Sequence, residues 1–162
     1  IIKKIPNNIN GVSYILAELS DNIEDHSEYS CASIMAQYFP GKREVEIIVF
    51  DDGMTIPGIF SKNNVSFKND SEAIEKALSG EISTPKLYNQ EKGRGYGLRT
   101  CRSLSTEDFK GEVYVFSRNG VIISKHNQEK ISEIMKSPLN GTLLCVKIKL
   151  PLKDIPFYDK VE

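Results

Sequence analysis

The sequence predicts a single α/β domain, on three observations. Two amphipathic stretches, residues 10–26 and 96–104, carry apolar side chains at the three- and four-residue steps of a helix, with a shorter helical pattern at 71–78. Between and after them lie β-rich runs at 31–39, 44–50, 111–117, 121–124 and 142–150. At 162 residues and 40% hydrophobic content, the chain is long enough for one sizeable core and too short for two.

The first helix follows from Val12, Ile15, Leu16, Leu19 and Ile23. It also stacks Glu18 and Asn22, four residues apart, on one face, with Asp25 and His26 a turn further on. A carboxylate and a carboxamide so placed present a general base and an oxygen ligand for a hard cation to one bound molecule, although polar pairs at this spacing are also common on solvated faces. Two antiparallel strands follow, 31–39 and 44–50, joined by Pro40-Gly41-Lys42-Arg43. The second runs into Asp51-Asp52-Gly53-Met54-Thr55-Ile56-Pro57-Gly58, where apolar residues give way to acidic and Gly/Pro-rich ones. A β-turn accounts for this change; so does an Asp51 that accepts a hydrogen bond from a ligand, with Gly53 allowing close backbone approach.

Residues 60–92 are polar and broken, the pattern of a lid. They lead into Gly93-Arg94-Gly95-Tyr96-Gly97-Leu98 at the start of the second amphipathic stretch. Unobstructed glycine amides at a helix start form an anion site suited to phosphates, to which Lys86, Lys92 and Arg94 add charge; a flexible linker is the plainer alternative. The pattern is neither GxxxxGK[ST] nor a dinucleotide fingerprint. A hairpin is expected between 111–117 and 121–124, turning at Arg118-Asn119-Gly120, because Asn-Gly supplies the left-handed residues of a tight turn. Residues 126–136 read as a polar excursion with some helical period, and Gly141-Thr142 opens the last strand.

The net charge of −1, without a long single-sign block, gives no electrostatic grip on nucleic acid or membrane. Neither a membrane-length apolar run nor a signal-peptide pattern is present. Cys31, Cys101 and Cys145, in apolar runs without CxxC spacing, read as reduced, buried thiols of a cytoplasmic protein. His26 and His126 lack partners at metal-ligand spacing. The first residue is Ile, consistent with a piece of a longer protein.

Taken in order, these motifs resemble the GHKL ATPase superfamily, the group of DNA gyrase, Hsp90-type chaperones and histidine kinases. Glu18-x-x-x-Asn22 is similar to its N box, Asp51-Asp52-Gly53 to its first glycine box, Gly93 to Leu98 to its second, and Gly141-Thr142 to its terminal element, across about residues 10–150. One departure is that Thr55 stands where the usual DxGxG has its second glycine. The resemblance implies the Bergerat fold, a two-layer α/β sandwich with helices on one face of a mixed, mainly antiparallel sheet. It implies ATP and Mg2+ as cofactors: Asn22 as metal ligand, Asp51 accepting from the adenine amine beside Gly53, amides of Gly93, Arg94, Gly95, Tyr96, Gly97 and Leu98 around the phosphates, and Thr142 supporting the adenine contact. Glu18 would orient or deprotonate the attacking water or hydroxyl. The implied activity is ATP hydrolysis or transfer of the γ-phosphate to a protein partner, as in histidine kinases or anti-sigma-factor kinases. A nucleotide-gated interaction module with little turnover and a subunit of a DNA-transaction ATPase are the competing readings.

Overall fold

The computed structural model describes residues 7–80, 97–128 and 130–149. Four strands form one sheet in the order β1-β2-β4-β3, every described pairing antiparallel. These strands are β1 (Ala32–Phe39), β2 (Glu44–Asp51), β3 (Glu112–Lys125) and β4 (Ile131–Lys149), and helices α1 (Asn7–His26), α2 (Ile56–Lys62), α3 (Asp70–Ser79) and α4 (Gly97–Ser103) accompany them. The core lies between the two layers. Ile15, Leu19 and Ile23 of α1 meet Ile47 and Val49 of β2, Val113 and Val115 of β3, and Leu144, Val146 and Ile148 of β4. The strand residues alternate, as a sheet with one covered face requires.

The stripe Ile15-Leu19-Ile23 explains where the polar pair sits. Glu18 and Asn22 each precede a buried residue by one position, about 100° around the helix, so both lie at the margin of the buried face, half-exposed. At the other end of β2, Pro40–Lys42 forms a single 3₁₀ turn closed by Arg43 in the left-handed region.

Part of the segment read as a lid is helical. Residues 60–80 include the last turn of α2 and all of α3, and Phe60, Ala73, Ile74 and Leu78 are core side chains. The rest of the expected segment, 81–92, lies outside the described residues. Thr55 initiates α2: its hydroxyl accepts from Gly58 N at 3.1 Å, with Pro57 in the first turn.

The hairpin expected at Asn119-Gly120 is not formed. β3 continues through Arg118, which takes φ 54°, and pairs with β4 as far as Ile123 opposite Ile131, so the reversal falls after Lys125. Residues 131–136, which read as helical, are strand. The ladder slips where Arg118 faces Leu139 and Gly120 faces Ile134, and Pro138 falls inside this irregularity, where no ladder N–H is needed.

What holds the bulge is a carboxylate from α3. Asp70, 7% exposed, accepts from Arg118 Nε at 2.9 Å, from Asn119 N at 3.1 Å and from Asn119 Nδ2 at 3.3 Å. These bonds, the Arg118 side chain foremost, hold the Asp70 carboxyl below its ordinary range. A depressed carboxyl contributes stability that is complete above its unfolded-state pKa of about 3.9 and is lost as pH falls through its lower folded value. Because Arg118 is 41% exposed on its side chain, solvent screening reduces the pair's worth. Asp70→Asn is therefore expected to cost about 1–2 kcal/mol at neutral pH. In denaturant titrations the gap between parent and variant should close below about pH 4; a constant gap would exclude Asp70 ionisation as its source.

Candidate functional site

Four elements bring the predicted residues to one end of the domain: the C-terminal half of α1, the end of β2, the middle of β4 and the start of α4. Asp51 is the last residue of β2, and its register partner on β4 is Thr142. Gly141, at φ +111°, lies so close over β2 that a Cβ would stand 1.9 Å from the Asp51 carbonyl oxygen. Glycine is thus required on both counts, backbone conformation and space. Thr142 Oγ1 meets Ser117 Oγ at 2.9 Å, and Ser117 Oγ accepts from Ile56 N at 2.9 Å. Those bonds tie β3, β4 and the start of α2 together around the aspartate.

Asp51 is 5% exposed. Its Oδ1 accepts from Gly53 N at 3.0 Å, and the Ser27 hydroxyl, which donates to the Ile23 carbonyl at 2.8 Å, lies beside the carboxylate. Burial pushes the carboxyl above its ordinary range; Gly53 N–H pulls it back, Asp52 raises it again, and Ser27 lowers it. A carboxylate has about four acceptor positions, so the Gly53 bond leaves capacity for a ligand donor. Asp52 points the other way, accepting from Ser30 N at 2.9 Å, Cys31 N at 2.7 Å and Ser30 Oγ at 2.6 Å, which fastens the loop before β1. The two adjacent acids therefore have separate roles. A Cβ at Gly53 would stand 2.2 Å from the Ser27 carbonyl oxygen, so its small size also serves the packing of the β2 end against the end of α1.

At the other side of the site, Asn22 Nδ2 donates to the Glu18 carbonyl oxygen at 2.6 Å. This bond fixes the carboxamide and leaves Asn22 Oδ1 as its acceptor. Gly97, the first residue of α4, lies against both side chains: a Cβ there would be 2.2 Å from Glu18 Oε2 and 3.8 Å from Asn22 Nδ2. The acid, the amide and the start of the glycine-flanked helix are thus in contact. Leu98 packs against the core and anchors that helix start. Gly93, Arg94, Gly95 and Tyr96 lie outside the described residues.

Tyr14, one turn before Glu18, was not foreseen. Burial, then a hydrogen bond to the Glu18 carboxylate, pushes its hydroxyl up to about 12, and Thr100 of α4 also bonds it. Tyr14 thus stays protonated and holds Glu18 from behind. Its signal was available in the four-residue spacing from Glu18; Ser27 and Ser117 had none, since only the fold brings them to Asp51.

Among the described residues no group of three or more His, Cys, Asp or Glu side chains could enclose a metal ion. Asn22 Oδ1 beside the Glu18 carboxylate is a donor set that suits a hard cation completing its shell with water and ligand oxygens. The expectation of buried thiols holds for Cys101 and fails for Cys31, which is exposed because its loop precedes the outermost strand. No helix among the described residues is long and apolar enough to cross a membrane.

A two-layer α/β domain with an acid and amide on a helix, a buried aspartate ending a strand and a glycine-led helix between them defines an ATP-binding class. Residues 7–154 match the family described as "Histidine kinase-, DNA gyrase B-, and HSP90-like ATPase", and the chain belongs to that family. Among solved structures it is similar to the ATPase region of Saccharomyces cerevisiae topoisomerase II, with 18% identity and a TM-score of 0.49 over 88% of this chain. The match spans 40% of that chain's length. No curated protein matches.

Proposed function

We propose that this chain binds Mg-ATP between α1, the Asp51–Thr142 pair and the start of α4, and cleaves it or transfers its γ-phosphate to a protein side chain. The single observation that carries this reading is the contact of Glu18 and Asn22 with Gly97. It supports the reading because a carboxylate and a carboxamide lie at the first turn of a helix, where backbone amides favour phosphate oxygens.

In this reading Asp51 accepts the adenine amine, and Thr142, fixed by Ser117, lies beside it. Asn22 supplies one oxygen to magnesium, which when bound neutralises the charge that develops on the phosphate oxygens. Glu18, oriented by Tyr14, positions the attacking hydroxyl or water and takes its proton. Gly97 leaves room for the phosphates where a side chain would press on Glu18. ATP or ADP is the small-molecule partner, and the phosphate acceptor beyond water is a protein.

Asn22→Ala tests the metal assignment. Since the substitution deletes a protein ligand of the cation, ATP affinity in Mg2+ should fall about tenfold or more, while affinity in excess EDTA should match the parent. Calorimetry in both buffers checks this. Equal affinity of parent and variant in Mg2+ would remove Asn22 from the metal site.

A further inference from the structure

Among the described residues, the edge strand β1 is covered on neither face. All side chains from Ala32 to Tyr38 are exposed, with Ile34 at 50%, Met35 at 59% and Tyr38 at 51%. β1 pairs only with β2 among the described residues. Its eight residues, Ala-Ser-Ile-Met-Ala-Gln-Tyr-Phe, contain no charge, proline or glycine, and its ladder with β2 runs without a bulge. Among the described residues, the usual devices that prevent edge pairing are therefore missing.

We propose that this edge is an interface for a second copy of the chain, β1 pairing antiparallel with β1 across a two-fold axis to make one eight-stranded sheet. Charge selects the occupant and its direction. The start of β1 is flanked by Glu28 and Asp52 against Lys62, and its end by Lys42, Arg43 and Lys149 against Glu44. Antiparallel self-pairing sets the acidic end of each strand against the basic end of the other; parallel pairing would set like against like.

Register follows from the faces. Ser33, Met35, Gln37 and Phe39 share the outer face with Ile48 and Phe50 of β2, while Ile34, Ala36 and Tyr38 lie on the helix side. A two-fold axis through Met35 keeps each face with its like: Met35 meets Met35, Ile34 meets Ala36, and Ala32 meets Tyr38. Such a ladder is about 27 Å long and forms about eight hydrogen bonds. It lies at the small end of specific interfaces, so a reversible dimer with a dissociation constant of roughly micromolar order is expected.

Sedimentation of the 162-residue chain between about 1 and 200 µM tests this. The expected result is a concentration-dependent monomer–dimer equilibrium, which Ile34→Lys and Met35→Lys, on opposite faces, each weaken about tenfold or more. Unchanged circular dichroism and melting would show that the variants fold. Met35→Cys should cross-link to itself on mild oxidation, whereas the native Cys31 residues, at distant ends of the two strands, should not. A chain that stays monomeric throughout overturns the proposal and assigns the edge to another occupant. So does a dimer indifferent to both lysine variants, or one cross-linked through Cys31, which requires parallel strands or an antiparallel register centred on Cys31.

Discussion

Glu18→Gln should leave ATP affinity within a few-fold of the parent while lowering turnover by about 10²–10⁴. The carboxylate touches the start of α4 and is held by Tyr14; in the proposed role it acts on the attacking group as the transition state forms and contributes little to ground-state binding. Glutamine keeps the size and the Tyr14 contact but cannot take a proton. Single-turnover measurements of phosphate release or transfer, with affinity measured in parallel, check this. A variant that loses affinity and turnover together would make Glu18 a binding residue. A parent that binds ATP yet shows neither hydrolysis nor transfer, with or without a protein acceptor, would favour a nucleotide-gated interaction module.

Asp51→Ala should weaken ATP binding by about tenfold to a hundredfold or more, since a lost hydrogen bond to a buried ligand donor costs about 1–3 kcal/mol. The structure makes its neighbour a sharp control. Asp52 faces Ser30 and Cys31, away from Thr142, so Asp52→Ala should loosen the loop before β1 and leave affinity within a few-fold. Calorimetric titration of both variants reads the difference. If Asp52→Ala abolishes binding and Asp51→Ala does not, the adenine contact belongs to the other acid. The pH dependence has a definite sign. Burial raises the free Asp51 carboxyl, so protonation on acidification should reduce ATP affinity starting above the ordinary carboxylate range, and Asp51→Ala should remove that component.

The parts of this fold legible in the sequence are those fixed by local pattern. The Ile15-Leu19-Ile23 stripe defines α1 because one helical face is buried along its length. β1 and β2 fall within a residue of expectation because Pro40 to Arg43 interrupts two β-rich runs. Asn119-Gly120 misled for a reason no local pattern contains: Asp70, far away in sequence, captures Arg118 and Asn119 and keeps the strand running. Likewise α2 was hidden in a stretch that reads as a turn, its start set by the Thr55 cap that replaces a glycine of the usual motif. Cys31 read as a buried thiol because the edge strand it leads into carries the same residue types as a central one.

For the site, spacing alone placed Glu18 and Asn22 together, since four residues make one helical turn. The approach of Thr142 to Asp51, and of Gly97 to Glu18, depends on strand register and helix packing, and entered the sequence reading only through the resemblance. Tyr14, Ser27 and Ser117 complete the site through contacts that the motifs do not encode.

The most direct test of the account is an amide chemical-shift map of the parent chain titrated with a non-hydrolysable ATP analogue and Mg2+. The account predicts saturable shifts concentrated at Glu18 to Asn22, Asp51 to Thr55, Ser117, Gly141, Thr142 and the first turn of α4, with the Asp70 to Gly120 junction unaffected. Shifts confined to other surfaces, or none at millimolar analogue, would contradict it.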